Sequence, residues 1–387
     1  MPRPKGMLLS LFSIIIIDLI GFGIVLPVLP FYASEYNASG LMLGFILGGY
    51  SGMQFIFSPV WGRLSDRIGR RPVMLVTILG TSLALLALGL VHSYLGLLLA
   101  RLAAGCFGAN IAVATAYIAD VTDESERTRW MGMVGASFAI GFVLGPAIGG
   151  FLSPFGLAVP MLVAGGMAAA NCVHAFFVLR EPVRHGKREQ AGRSRLSVLK
   201  DSFVLRICVV YLLFSMAVCQ LETIFAYFMK DRFDYSAREV AYILVFMALI
   251  MGGIQGGALR RLAPRFGERR LLLSGLTLMM LGFLAAPQFG MVALMLVPLG
   301  VYGVGRAIAQ PSMLAMVSVA APPGERGLVI GTYQSSSHLA RVGAPMLAGA
   351  LYDVGITYPF YLASGLMAVA LLLALALPAP APMESGS

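Results

Sequence analysis

Apolar runs of 20 or more residues recur along the whole of this 387-residue chain. A run of that length is long enough to cross the hydrocarbon core of a bilayer as a helix. Charged residues make up only 12% of the chain, whereas soluble domains carry about 25%. The sequence therefore excludes an ordinary soluble enzyme and predicts an all-α membrane protein.

The apolar windows between charged or turn-rich breaks predict twelve transmembrane helices. Their bounds are 7–33, 41–62, 73–92, 94–119, 130–153, 157–180, 205–230, 237–260, 269–287, 291–319, 328–353 and 357–378. The single long polar stretch, 181–204, is basic and rich in Gly and Ser. We interpret it as a cytoplasmic linker between an N-terminal six-helix bundle, 1–180, and a C-terminal six-helix bundle, 205–387.

Basic residues are distributed unevenly over the predicted loops. Of the 28 lysines and arginines, 22 fall in the tails and loops on the side of the N-terminus, and three fall in the opposite loops. The positive-inside rule then places both termini in the cytoplasm of a cell and the chain in its inner membrane. The net charge of +10 is explained by this topology, so no nucleic-acid partner is predicted.

An internal repeat relates the two halves. The segments ERTRWMG at 126–132 and ERGLVIG at 325–331 correspond at an offset of 199 residues. The basic segment RIGRR at 67–71 recurs as RFGER at 265–269, at an offset of 198. Parallel duplication of six-helix halves is typical of secondary transporters, whose substrate site lies near the midplane where the halves meet.

The sequence gives no indication of enzymatic chemistry. The four cysteines lie in apolar segments without CxxC spacing, so neither a metal site nor a disulfide framework is predicted. No nucleophile and base stand at a workable spacing, and no GxxxxGK[ST] loop is present to bind ATP. We therefore expect neither an enzyme nor a cofactor.

Four motifs follow one another in the first half. They are Asp18 with the glycines and prolines after it, the segment 62–71, Arg101 with Gly105 and Gly108, and the segment 141–150. With these motifs the chain resembles the major facilitator superfamily and, within it, the drug–proton antiporters, with tetracycline–proton antiporters as the nearest likeness. The resemblance covers essentially the whole chain. It implies the twelve-helix fold of that family and, through the fourth motif, antiport and export.

The segment 62–71 places one acid among four bases at a helix end. Asp66 can accept a charge-assisted bond from an arginine or cap a neighbouring helix. The resemblance implies a latch that holds one conformation, made of Gly62, Asp66, Arg67, Gly69 and Arg70. The alternative is positive-inside anchoring, which leaves Asp66 and the glycines unexplained. Pro264 stands where Asp66 would recur, so only the N-terminal latch is predicted to be complete.

The fourth motif removes side chains from one helix face. Gly141, Gly145 and Gly149 recur every four residues, so the backbone of a partner helix can approach closely. Pro146 frees a backbone carbonyl and favours a bend, and Gly150 completes the motif. That this packing seals a leak path during antiport is implied by the resemblance alone.

Ionisable residues in the middle of a membrane helix cost about 2.5–3.5 kcal/mol, so each is a functional candidate. A carboxylate whose partner can move away is suited to carry protons. The proton-coupling candidates are Asp18, Glu222 and His338, and the candidates for lining a substrate cavity are Arg101, Arg306, Gln310, Gln334 and Arg341.

Two alternatives remain open for these residues. Asp18 and Arg101 could form a static ion pair, and His338 could make an ordinary hydrogen bond between helices. In the second half, Glu222 has Arg341 or Arg306 as its expected counter-charge.

Together these features predict a monomeric transporter that exports a small hydrophobic or amphiphilic, drug-like solute in exchange for protons by alternating access. The alternative is a proton-coupled symporter or a uniporter for a metabolite. That metabolite could be anionic or zwitterionic, because the deep charges are two acids against three arginines. The expected partners are the solute, protons and the lipid bilayer.

Overall fold

The computed structural model describes residues 4–122, 124–182, 198–321 and 326–377, and within them it contains helices and no strands. The helices of the first half are α1 (Pro4–Glu35), α2 (Gly40–Ile68), α3 (Arg70–Leu90), α4 (Tyr94–Phe107), α5 (Asn110–Val121), α6 (Glu124–Leu152) and α7 (Ala158–Val178). Those of the second half are α8 (Ser202–Phe233), α9 (Ala237–Gly253), α10 (Leu259–Phe266), α11 (Glu268–Ala285), α12 (Val292–Ala320), α13 (Arg326–Val354) and α14 (Tyr358–Leu375). A π-helical segment, Ile254–Ala258, joins α9 to α10.

Eleven spans within the described ranges are long and apolar enough to cross a membrane. Two of them are interrupted helices: α4 with α5 forms Tyr94–Val121, and α9 with α10 forms Ala237–Phe266. Helix α13 is 29 residues long, but its middle contains Gln334, His338 and Arg341, which make it too polar to be counted with the others. The predicted all-helical fold of twelve long helices is confirmed, with α13 as its polar member.

The segment 62–71 is less of a loop than the hydropathy pattern predicts. Helix α2 continues to Ile68 and α3 begins at Arg70, so only Gly69 is non-helical. Gly69 has φ +114°, a backbone conformation that side chains other than glycine rarely adopt. The polar linker predicted over 181–204 also ends sooner than expected, because α8 begins at Ser202. Linker residues 183–197 lie outside the described residues.

The described residues form two compact units. The first combines the helices of the N-terminal half with Phe225–Ala248, which comprises the end of α8 and most of α9. Within this unit the Tyr227 hydroxyl donates to the carbonyl of Ala38 at 2.9 Å, and Lys230 Nζ donates to Ser34 Oγ at 2.9 Å. The second unit combines the rest of α8 with the chain from Leu249 onward.

Each unit has its own helix packing. In the first unit α1 packs on α6 and α7, α3 packs on α7, and α2 packs on α4. Its apolar core includes Leu8, Phe12, Ile78 and Tyr117, and the Phe12 ring stacks on Trp130 with centroids 5.5 Å apart. In the second unit α11 packs between α12 and α14. These packed helices hold the polar side chains described next.

Candidate functional site: intramembrane charges and basic helix ends

Asp18 lies half-buried in the middle of α1, and its partner is a neutral amide. Asn110 Nδ2 donates to Asp18 Oδ1 at 2.9 Å. The amide reaches this position because the helix breaks at Gly108 and Ala109 and restarts with Asn110 as the first residue of α5. Among the side chains that the structure describes, no cation lies within ion-pair distance of Asp18.

Arg101, on α4, is directed to an aromatic ring. Its guanidinium carbon lies 4.3 Å from the centroid of the Tyr50 ring on α2, a cation–π contact. The side chain is 4% exposed, and its Nε has no hydrogen-bond partner among the described residues. The static Asp18–Arg101 ion pair considered from the sequence is therefore not formed.

The glycine face of α6 lies directly against α1. A Cβ added at Gly145 would lie 2.5 Å from the Gly23 Cα, and one at Gly141 would lie 2.7 Å from the Leu19 Cβ. Gly149 approaches the carbonyl of Ile24 as closely, and the buried Pro146 lies beside Gly145. The α1 backbone from Leu19 to Ile24 can approach α6 this closely because α6 has only glycine at the three contact positions.

Gly150, the last residue of this motif, lies against a different helix. A Cβ added to Gly150 would collide with the Cβ of Ala241 on α9, within the first unit. The motif therefore contacts both α1 and α9. Whether this packing blocks a leak path remains a prediction.

Arg70 is the centre of an ionic cluster between α2, α3 and α5. Its Nη1 lies 2.7 Å from Asp66 Oδ1, one turn earlier, and its Nε donates to Asp120 Oδ2 at 2.7 Å. The same guanidinium donates to the buried hydroxyl of Ser65. The Asp66 side chain is 62% exposed, so Asp120 and Ser65 hold Arg70 from the buried side.

The N-terminus of α3 is capped by Glu181 rather than by Asp66. Glu181 Oε1 accepts from the Arg70 backbone N–H at 2.7 Å, and Glu181 Oε2 accepts from the Arg71 backbone N–H at 2.9 Å. Gly69 leaves room for this, because a Cβ there would lie 2.8 Å from the carboxyl group. The Gly62 carbonyl accepts from the Ser65 hydroxyl at 2.7 Å, so Gly62 contacts the cluster through its backbone. Arg67 is exposed and makes no contact with the cluster among the described residues.

The second unit contains a cluster of three charged side chains from three helices, α8, α12 and α13. Arg306 Nη2 donates to Glu222 Oε1 at 2.9 Å, and Arg341 Nη1 donates to Glu222 Oε2 at 3.3 Å. Arg306 Nη1 also donates to the Tyr302 hydroxyl at 3.2 Å. Both arginines thus serve as the counter-charge of Glu222, and the cluster carries one net positive charge.

The remaining predicted site residues lie outside this cluster. Gln310 is half-buried one turn after Arg306, while Gln334 and His338 are exposed on α13. His338 makes no hydrogen bond to any described residue, so the interhelical hydrogen bond considered from the sequence is not formed. The structure describes no group of three or more His, Cys, Asp or Glu side chains that could hold a metal ion.

Several residues that contact the predicted site residues were not identified as candidates from the sequence. They are Tyr50, Asn110, Asp120, Glu181 and Tyr302. Asn110, placed just after a glycine in an apolar span, was detectable as a polar residue at a helix break. Glu181 was detectable as the first acid after the sixth span, whereas nothing local distinguishes Tyr50 or Tyr302 from packing residues.

Comparison with known proteins places the chain among membrane transporters. The sequence model of the Major Facilitator Superfamily matches residues 11–265 and 258–387. Multidrug resistance protein 2 of Bacillus subtilis is 29% identical over 379 residues, which cover 95% of this chain and 94% of that protein. Tetracycline resistance protein, class E, of Escherichia coli is 31% identical over 379 residues, which cover 93% of this chain and 92% of that protein.

Solved structures agree with the sequence matches. The human organic anion transporter MFSD10 aligns with a TM-score of 0.72 at 25% identity, covering 97% of this chain and 100% of that chain. The nucleoside transporter NupG aligns with a TM-score of 0.75 at 13% identity, covering 96% of this chain and 98% of that chain. The second likeness is one of fold alone.

Proposed function

The chain belongs to the major facilitator superfamily, and from that premise we propose that it exports a small hydrophobic or amphiphilic solute in exchange for protons. The observation that carries the proposal is Asp18, an intramembrane carboxyl group whose partner is the neutral amide of Asn110. Relatives named for multidrug and tetracycline resistance align with nearly the whole chain and support export of drug-like solutes.

Asp18 suits the exchange of protons better than the other two candidates. No described cation compensates a charge on its carboxyl group, so the neutral acid and the carboxylate can each be stabilised by a small change in surroundings. Glu222 is fixed between two guanidinium groups at 2.9 and 3.3 Å. We therefore assign the exchangeable proton to Asp18 and give Glu222 and His338 no more than a supporting part.

The energetics of such an exchange are adequate for export. One proton that enters down a membrane potential of 100 mV releases about 2.3 kcal/mol. This energy drives the solute outward if protonation and solute binding compete for the same state of the protein. In this proposal both termini face the cytoplasm, a single copy of the chain is sufficient, and the Arg70 cluster holds one conformation of the alternating cycle.

Transport by the purified full-length chain in proteoliposomes tests the proposal. An imposed pH gradient should drive accumulation of tetracycline, and Asp18→Asn should abolish that accumulation while exchange of labelled against unlabelled solute persists. The matched control is Asp18→Glu, which keeps a titratable carboxyl group at this position and should retain proton-driven accumulation. Undiminished proton-driven accumulation by Asp18→Asn would overturn the assignment.

A symporter or uniporter for an anionic metabolite is the second candidate, and the positive cluster around Glu222 favours it. Counterflow measured with and without a pH gradient separates the two. Solute that moves in the same direction as the protons, or that ignores the gradient, would replace antiport by this alternative.

A further inference from the structure

The cluster of Glu222, Arg306 and Arg341 is unbalanced in charge. It contains two guanidinium groups and one carboxylate, and no second described carboxylate lies within ion-pair distance of either arginine. Glu222 and Arg306 project from apolar membrane helices and Arg341 from the more polar α13. An uncompensated buried charge costs several kcal/mol. One further negative charge would neutralise the cluster.

The two arginines are not held equally. Arg306 is 19% exposed in its side chain and donates to both the Tyr302 hydroxyl and Glu222. Arg341 is 42% exposed and donates to the described residues only once, to Glu222 at the longer distance of 3.3 Å. A guanidinium group has five N–H donors in a planar fork, so most of those on Arg341 remain available to a ligand.

These observations assign a chemical class to the solute. We propose that the cluster receives the single anionic group, such as a carboxylate, of an otherwise apolar solute, and that Arg341 is the side chain that binds it. Arg306 stays paired with Glu222 and holds the Glu222 side chain in place. The inference rests on the proposed transport function, since it names the class of solute for that activity.

The proposal makes opposite predictions for two neighbouring substitutions. Glu222→Gln removes the internal carboxylate and raises the net charge of the cluster from one to two, so an anion should bind more tightly. Arg341→Gln lowers the net charge to zero and removes the available donors, so an anion should bind more weakly. A purely structural role of these residues would weaken binding in both variants.

The test uses ligands that share one apolar body and differ in charge. Naphthylacetate, naphthylethanol and naphthylethylamine are titrated by calorimetry into the purified full-length chain in detergent at neutral pH. The wild type should bind naphthylacetate about tenfold more tightly than naphthylethanol, which is the size of one charge-assisted bond. It should bind naphthylethylamine most weakly.

The variants then decide the role of the cluster. Arg341→Gln should reduce naphthylacetate binding about tenfold and leave naphthylethanol within about twofold, and Glu222→Gln should strengthen naphthylacetate binding several-fold. Arg341→Lys should restore part of the affinity because it keeps the charge. Arg238→Gln, an exposed arginine on α9, is the matched control and should change nothing.

Three results would overturn the inference: equal binding of the three ligands by the wild type, preference for the amine, or a shift of both variants in the same direction. The proposed antiport is judged separately by the pH-gradient experiment. If the wild type shows no proton-driven accumulation but prefers naphthylacetate, antiport alone is rejected. If it shows proton-driven accumulation but no preference for naphthylacetate, only the anionic solute class is rejected.

Discussion

Asp18 and Glu222 are both carboxyl groups in long apolar helices, but their surroundings differ in charge. Asp18 accepts a hydrogen bond from Asn110 and has no described cation beside it. Glu222 lies between Arg306 and Arg341. A carboxyl group with a neutral partner can gain or lose a proton with small rearrangements. Protonation of a carboxylate between two cations would instead break both ion pairs. Our proposal accordingly gives proton exchange to the unit that contains Asp18 and recognition of solute charge to the unit that contains Glu222.

Some local structures recur in the two halves at the offset of the internal repeat. Arg71 Nη2 donates to the Phe176 carbonyl at 2.7 Å, and Arg269, 198 residues later, donates to the Leu375 carbonyl at 2.8 Å. Gly69 and Gly267, at the same offset, both have positive φ. By contrast, Ile24 stands at the position that corresponds to Glu222. The duplicated scaffold is common to both units, and the intramembrane charges are particular to each.

The largest expected difference between the repeats is at the start of α3 and α11. Arg70→Gln removes two ion pairs and leaves Asp120 uncompensated, so we expect a loss of about 2–3 kcal/mol of stability. Its counterpart in the repeat is Glu268, which has no described ion pair, and Glu268→Gln should cost under about 1 kcal/mol. Thermal unfolding midpoints of the purified variants measure both. Equal losses would break the comparison of the two helix ends.

An intermediate effect is expected at the glycine face of α6. Gly145→Ala would force the Gly23 backbone away and should cost about 1–3 kcal/mol. In the second unit the residue at the corresponding position is Ala344, so a Cβ is already accommodated there. Gly132→Ala, on α6 with nothing within 4 Å of the added Cβ, is the matched control. It should leave the unfolding midpoint unchanged or raise it slightly.

A stability loss for Gly132→Ala as large as that for Gly145→Ala would show that helix bending, rather than contact with α1, decides the need for glycine. That outcome would remove close packing against α1 as the reason for glycine at position 145 of α6.

The smallest effect should be the same in both units. Arg71→Lys and Arg269→Lys each replace a planar fork by a single ammonium group opposite a helix-end carbonyl, so each should cost about 0.5–1 kcal/mol. The two unfolding midpoints should fall equally. A fall in only one variant would contradict the view that these contacts are a shared element of the duplicated scaffold.

The sequence predicts what is local and misses what is assembled from distant segments. Apolar length predicts the helices, and the spacing of Gly141, Gly145 and Gly149 predicts a face without side chains, because both are properties of one helix. The partner of Asp18 is 92 residues away, and that of the α3 N-terminus is 111 residues away. Such pairs depend on how the helices pack, so hydropathy and motif spacing could mark Asn110 and Glu181 as polar candidates but could not identify them as the partners of Asp18 and of the α3 N-terminus.

The polar helix α13 marks a second limit of sequence reasoning. Gln334, His338 and Arg341 recur along one helical face. The sequence predicts that Gln334 and Arg341 line a substrate cavity and that His338 couples protons. Only Arg341 joins the cluster in the second unit, while Gln334 and His338 stay exposed. A face places residues in the same direction, but the neighbouring helices decide which of them find a partner.

Infrared difference spectra of the purified chain between high and low pH test the division of roles most directly. Because many of the 18 Asp and Glu side chains take up protons on acidification, the spectra of the variants are compared with that of the wild type. One component of the carboxylic-acid C=O band should be present in the wild type and in Glu222→Gln and missing in Asp18→Asn if Asp18 takes up the exchanged proton. A band that persists in Asp18→Asn and disappears in Glu222→Gln would contradict the account.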